Sequence, residues 1–229
     1  MDRSTGAPTA SDWCWLYKAG GAAALLTVAI SPLAVAVFLL SPPPETVAGH
    51  FALYQRSALL GMLGLDLLYL LANVASLPLV LALYVALRRA SESFTLIAAA
   101  LVLVGILALI ASNPAVEMLS LSQRYAAAAT DAQRAALVAA GEAAVVRLTG
   151  TAYHAHYILG SLGLLVLSAV MLRSEVFGKT TAIVGLLANA IVFGLYVPVI
   201  GVYLSLFSVV FYLAWYILIA RRLFQLGRA

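Results

Sequence analysis

Charge is the scarcest commodity in this sequence. Only 10% of its 229 residues are Asp, Glu, Lys or Arg, against 64% apolar residues, whereas soluble domains carry about 25% and about 45–50%. So thin a charged coat cannot cover that much apolar surface in water. A soluble particle, a disordered chain and a free nucleic-acid binder are therefore excluded. Cysteine occurs once, as Cys14, which removes an intrachain disulfide and a thiolate metal cage. It precedes the first apolar run without the small-residue context of a lipid-attachment box, and is read as an incidental thiol. The phosphate-cradling loops Gly-x-x-x-x-Gly-Lys and Gly-x-Gly-x-x-Gly are missing, as are His-Glu-x-x-His and Gly-x-Ser-x-Gly. No lysine sits at the centre of an apolar run, so a retinal Schiff base is out, and no arginine-rich helix is available to sense voltage. Nothing implies a cofactor.

What the chain has instead is long apolar runs, at a mean hydropathy of +1.05. A bilayer-crossing helix needs about 20 mostly apolar residues. That ruler predicts an all-α, polytopic six-helix transmembrane bundle forming a single domain over residues 1–229. Its spans are Trp15–Leu40, Ala58–Leu87, Phe94–Ser112, Thr151–Leu172, Thr180–Val197 and Val202–Ala220. The first apolar stretch, Ala19 to Leu40, exceeds the roughly 7–15 residues of a signal-peptide core and is read as an uncleaved span. Pro78 predicts a kink in the long second span, and Pro198 with Gly201 a tight turn between the last two.

Lysine and arginine set the orientation. Arg3, Lys18, Arg88, Arg89, Arg173, Lys179, Arg221, Arg222 and Arg228 fall on one side; Arg56, Arg124, Arg134 and Arg147 fall on the other, with Glu45, Glu117, Asp131 and Glu142. This places both termini in the cytoplasm, as a tail over residues 1–14 and a basic tail over 221–229. Residues 113–150 then form an external helical cap. Thr130 and Gln133 have capping-box spacing, and the alanine-rich stretch to Arg147 favours helix. Leu137, Gly141, Val145 and Leu148 share a stripe, so this helix is expected on the membrane surface or over the bundle. Glu117 and Arg124 share a face of a preceding helix and are the cap's candidate site residues.

Ionisable groups at membrane depth are costly and are candidate functional sites. Asp66 is the carboxylate well inside a span. At 100° per residue, Asp66, Tyr69, Asn73, Ser76 and Tyr84 lie within an arc of about 80°, a polar stripe down one side. Gly61 and Gly64 beside it allow a neighbouring helix close. The stripe reads either as interhelical hydrogen bonding, at about 0.6 kcal/mol per contact, or as a cavity in which Asp66 carries a proton, binds a cation or acts as a base. His154 and His156 open the fourth span. On a helix they point about 200° apart, so both grip one metal ion only if the helix has not yet begun. His154 with Asp66 is a candidate ion pair or a weak metal set, and His156 continues through Gly160 and Gly163 on a tight-packing face. Asn189 lies near the midplane of the fifth span as Asn73 does in the second, and a hydrogen bond between them is its simplest role. Tyr153, Tyr157, Tyr196, Tyr203, Trp13 and Trp15 gather near span ends, as belt residues do.

From about Ala48 onward the chain resembles a family of prokaryotic six-span membrane proteins designated domain of unknown function 4386. The resemblance rests on the segments Thr130–Glu142, Thr149–His154, Leu172–Gly178 and Ile219–Gly227. It implies the six-span fold, a prokaryotic cell membrane and an acidic residue in the second span, which Asp66 matches; it implies no activity.

Three functions follow as expectations. The first is a non-enzymatic membrane protein binding a ligand or lipid near Asp66, or associating with copies of itself or other membrane proteins; the bilayer is its partner and nucleic acid is not. The second is a small proton- or cation-coupled transporter using Asp66. The third is an intramembrane metal enzyme using Asp66 with His154 or His156.

Overall fold

Apolar runs this long leave the backbone no hydrogen-bond partners in a bilayer except its own, and the chain is helical accordingly. The computed structural model describes residues 13–228; Arg3 and the rest of the first twelve residues, with Ala229, lie outside the described residues. The chain is 85% helix, with no strand among the described residues. The helices are α1 (Cys14–Leu40), α2 (Val47–Arg56), α3 (Ala58–Leu63), α4 (Leu67–Ala75), α5 (Leu77–Leu87), α6 (Glu92–Ser112), α7 (Ala115–Ala127), α8 (Asp131–Leu148), α9 (Thr151–Arg173), α10 (Lys179–Ile191) and α11 (Gly201–Leu226). Six helical segments are long and apolar enough to cross a membrane: Cys14–Leu40, Leu67–Leu87, Glu92–Ala127, Asp131–Arg173, Lys179–Tyr196 and Gly201–Leu226.

The second of these differs from expectation. It begins at Leu67, and the predicted unbroken helix Ala58–Leu87 is three helices. Ser57 caps α3, its side chain accepting from the Leu60 amide. A turn at residues 64–66 ends α3, and Asp66 adopts φ 58°, a left-handed conformation that stops a helix. A second turn at Ser76, with Pro78 in the first turn of α5, supplies the expected kink. At the far end of the chain, residues 192–196 tighten into a 3-10 turn before Pro198, and Val199 there has φ 71°.

The described helices divide into two compact units. One comprises residues 13–28, 75–103 and 161–228. Its core holds Leu83, Leu87, Leu167, Met171, Trp215, Ile219 and Leu223, all essentially inaccessible. Small residues let its helices approach closely: a Cβ on Gly163 would lie 2.6 Å from the Ala98 carbonyl oxygen, and one on Gly20 2.5 Å from the Ala82 Cβ. Arg222 donates from Nε to the Val176 carbonyl, closing the α9–α10 loop onto α11. Arg88 sits over the Trp13 ring at 5.3 Å.

The other unit comprises residues 29–74 and 104–160. Its core is Val47, Phe51, Tyr54, Leu65, Ala115 and Met118, with Val138, Val145 and Leu148 packed against it. The helix α2 was not among the expected elements. Ten residues are too few for a span, and its apolar positions Val47, Phe51 and Tyr54 repeat at i, i+4, i+7, the spacing of one buried face. The Thr46 side chain caps it at the Gly49 amide. The expected capping box on α8 is formed, Thr130 accepting from the Gln133 amide and Gln133 reaching back to Thr130. The stripe of α8 packs on α2, because Gly141 leaves room for Val47 and Phe51. Glu117 pairs with Arg147 at 2.6 Å in place of facing Arg124, which is exposed.

Candidate ligand cavity

Asn113 ties the corner between α6 and α7 to the break before Asp66. Its amide nitrogen donates to the Leu65 carbonyl at 2.6 Å, and its oxygen accepts from the Ala115 amide at 3.0 Å. In an unbroken helix the Leu65 carbonyl would accept from the Tyr69 amide; here the Asn113 side chain, from the α6–α7 corner, donates to it. Two further bonds lock α2 to α7: the Tyr54 hydroxyl donates to the Ala115 carbonyl at 2.7 Å, and the Ser122 hydroxyl to the Phe51 carbonyl at 3.0 Å. Gly61 packs beneath the Tyr54 ring, so the helix its small side admits is α2.

The second unit holds a cavity of about 300 Å³ whose lining is wholly its own. Asp66 lines it and is exposed. Tyr69, Tyr153 and His50 add polar edges, and Phe38 and Leu148 represent the apolar sides supplied by α1 and α8. His50 is 4% exposed, and its Nδ1 has no hydrogen-bond partner. A buried orphan of this kind costs about 1–3 kcal/mol. Burial holds its imidazole below the ordinary value, opposed by the Pro44 carbonyl.

Tyr69 links the cavity to the buried His156. The His156 Nδ1 lies 3.0 Å from the Gly105 carbonyl, which can only accept, so Nδ1 carries the proton. Nε2 of the neutral ring is then an acceptor, and the Tyr69 hydroxyl, 2.9 Å away, donates to it. Tyr157 stacks on Tyr69 at 6.4 Å between centroids. The backbone allows this because Gly105 and Gly160 bring α6 and α9 together, a Cβ on Gly105 falling 3.1 Å from the Gly160 nitrogen.

The candidates therefore sort themselves. Asp66 and Tyr69 share the cavity, but the stripe does not continue. Asn73 donates back to the Tyr69 carbonyl at 2.9 Å, Ser76 sits at the second turn, and neither lines the cavity. Asn73 stays on α4 with Tyr69, and the turn at Ser76 separates both from Tyr84 on α5. Helix α9 has begun by Thr151, so His154 and His156 diverge: His154 is exposed with its ring edge-on to Tyr153, and His156 is buried. With both ring nitrogens hydrogen-bonded, His156 presents no lone pair to a metal. Asp66 and His154 form no ion pair; among the described residues the pairs are Arg134–Asp131 and Arg147–Glu117. No group of three possible metal ligands occurs among the described residues. Asn189 finds its partners elsewhere than Asn73, donating to the Gly185 carbonyl at 2.8 Å and accepting from the Tyr212 hydroxyl at 2.6 Å.

Sequence reasoning missed His50 and Asn113. The first lies on a helix too short to register as a span. The second works through its carboxamide on a distant carbonyl, a partnership that no local pattern displays.

Comparison with known protein families, with curated proteins and with solved structures finds no match to this chain.

Proposed function

We propose that this is a multi-pass cell-membrane protein that binds a small amphipathic molecule in the Asp66 cavity without transforming it. The observation that carries this reading is the cavity itself. It combines one carboxyl and a few fixed polar groups with apolar walls, the usual make-up of a small-molecule site. The charge bias of the loops supports cytoplasmic termini, and the resemblance to the prokaryotic six-span family supports a prokaryotic membrane. Association with copies of itself or other membrane proteins is compatible with this reading and carried by no observation. The test is thermal unfolding of the purified chain with short-chain alcohols and amines, beside an Ala34→Trp variant whose indole fills the cavity. Stabilisation of wild type alone is expected; equal responses remove the site.

One observation favours a second reading, a proton- or cation-coupled transporter. Interrupted membrane helices are a recurring device at transport sites; the second span, Leu67–Leu87, is broken at Ser76, and Asp66, expected well inside a span, lies in the turn just before it. An Asp66→Asn variant reconstituted in proteoliposomes separates the two. Loss of a measurable proton or sodium flux supports transport, and the absence of flux in wild type removes it.

A further inference from the structure

We infer that the Asp66 cavity selects an organic ammonium, a protonated amine on a short apolar body, over neutral or anionic molecules of the same shape. This rests on the reading that the cavity is a ligand site, and goes further by naming the chemistry of the head group.

Beside the Ser41 and Thr149 hydroxyls, which can donate or accept, the cavity's polar side chains favour a donor in the ligand. Asp66 supplies the carboxyl, and no lysine, arginine, tryptophan, asparagine or glutamine lines the cavity to provide an obligate donor. The Tyr69 hydroxyl has its proton committed to His156 Nε2, because His156 Nδ1–H is committed to the Gly105 carbonyl. A head group that donates and carries positive charge answers the Asp66 carboxyl, and a carboxylate or phosphate does not.

The cavity's shape points the same way. Phe38, Leu63, Leu68, Val145 and Leu148 line it, so the remainder of the ligand is apolar. Tyr69 and Tyr153 line it as well, and aromatic rings attract a cation through their quadrupole. A hydrated metal ion would leave those walls empty of contact.

The test uses three probes with one body and three heads: phenethylammonium, 2-phenylethanol and phenylacetate. Binding to the full chain is measured by calorimetry in uncharged maltoside micelles, so that the micelle does not sort the probes by charge. Phenethylammonium is expected to bind at least about tenfold more tightly than the alcohol, a 1.4 kcal/mol preference, with no saturable heat from phenylacetate. Asp66→Asn should bring the ammonium down to the alcohol's affinity and change the alcohol by less than about twofold. Asparagine tolerates positive φ as aspartate does, so the turn is kept; Asp66→Gly removes the same charge if the asparagine variant does not fold. Alcohol or phenylacetate bound as tightly as the ammonium, or a preference that survives both variants, overturns the inference and leaves the ligand site standing. If no probe distinguishes wild type from Ala34→Trp, the ligand site and the inference fall together.

Discussion

Asp66 is the residue on which sequence and backbone meet. Aspartate is among the few side chains that enter left-handed space at modest cost, and φ 58° uses that tolerance. Asp66→Val should therefore lower stability by about 1–3 kcal/mol, while Asp66→Asn stays near wild type; thermal denaturation of the two variants reads the difference. Asn113→Ala should cost about 1–3 kcal/mol by stranding the Leu65 carbonyl, and weaken ligand binding as the turn loosens. If stability and binding are both unchanged, Asn113 does not hold the turn. His50 makes a prediction about acid. The folded imidazole is held below its ordinary value by burial, so the unfolded chain takes up a proton that the folded one refuses. Its contribution is intact above about pH 6.5 and stability falls as the pH drops below that value. His50→Gln should flatten the decline in melting temperature between about pH 7 and 5; an identical slope would show that His50 is not its source.

Among the elements, the contacts that matter are made by what is missing from glycine. Gly163 on α9 faces a backbone carbonyl at Ala98, which cannot rotate away as a side chain could. Gly163→Ala should destabilise by about 1–3 kcal/mol through overpacking, and an unaltered unfolding transition would mean the two helices slide apart freely. The α8 cap is the opposite case, a local motif with a local price. Thr130→Ala should cost about 1 kcal/mol, seen as faster amide exchange confined to the first turn of α8. The capping box was legible because both partners lie three positions apart in one segment. The α3–α4 break was not. Leu63-Gly-Leu-Asp66 sits inside a continuous apolar run, and the hydropathy that marks the span is blind to the hydrogen bond from Asn113 that opens it. Helix α2 was legible in principle, since Thr46 and the Val47, Phe51, Tyr54 spacing announce a short capped amphipathic helix.

Over the whole molecule, the grouping of charge agrees with the grouping of contacts. The described cations of the side assigned to the cytoplasm, Lys18, Arg88, Arg89, Arg173, Lys179, Arg221, Arg222 and Arg228, all belong to one compact unit. Arg56, Arg124, Arg134 and Arg147 belong to the other. In a Cys14→Ser background, Asp131→Cys should react with a membrane-impermeant maleimide on right-side-out vesicles, and Arg228→Cys only after permeabilisation. The reverse pattern would invert the topology. The sequence alone determined that the chain is helical and apolar enough to cross a membrane six times, because burying peptide groups in hydrocarbon depends on composition and run length. Tertiary structure alone decided that Asp66 leaves the helix, that the His50 Nδ1 goes without a hydrogen-bond partner, and that His156 is pinned from both sides. Each of those depends on groups distant in sequence competing for the same hydrogen bonds, a contest invisible to periodicity along a single helix.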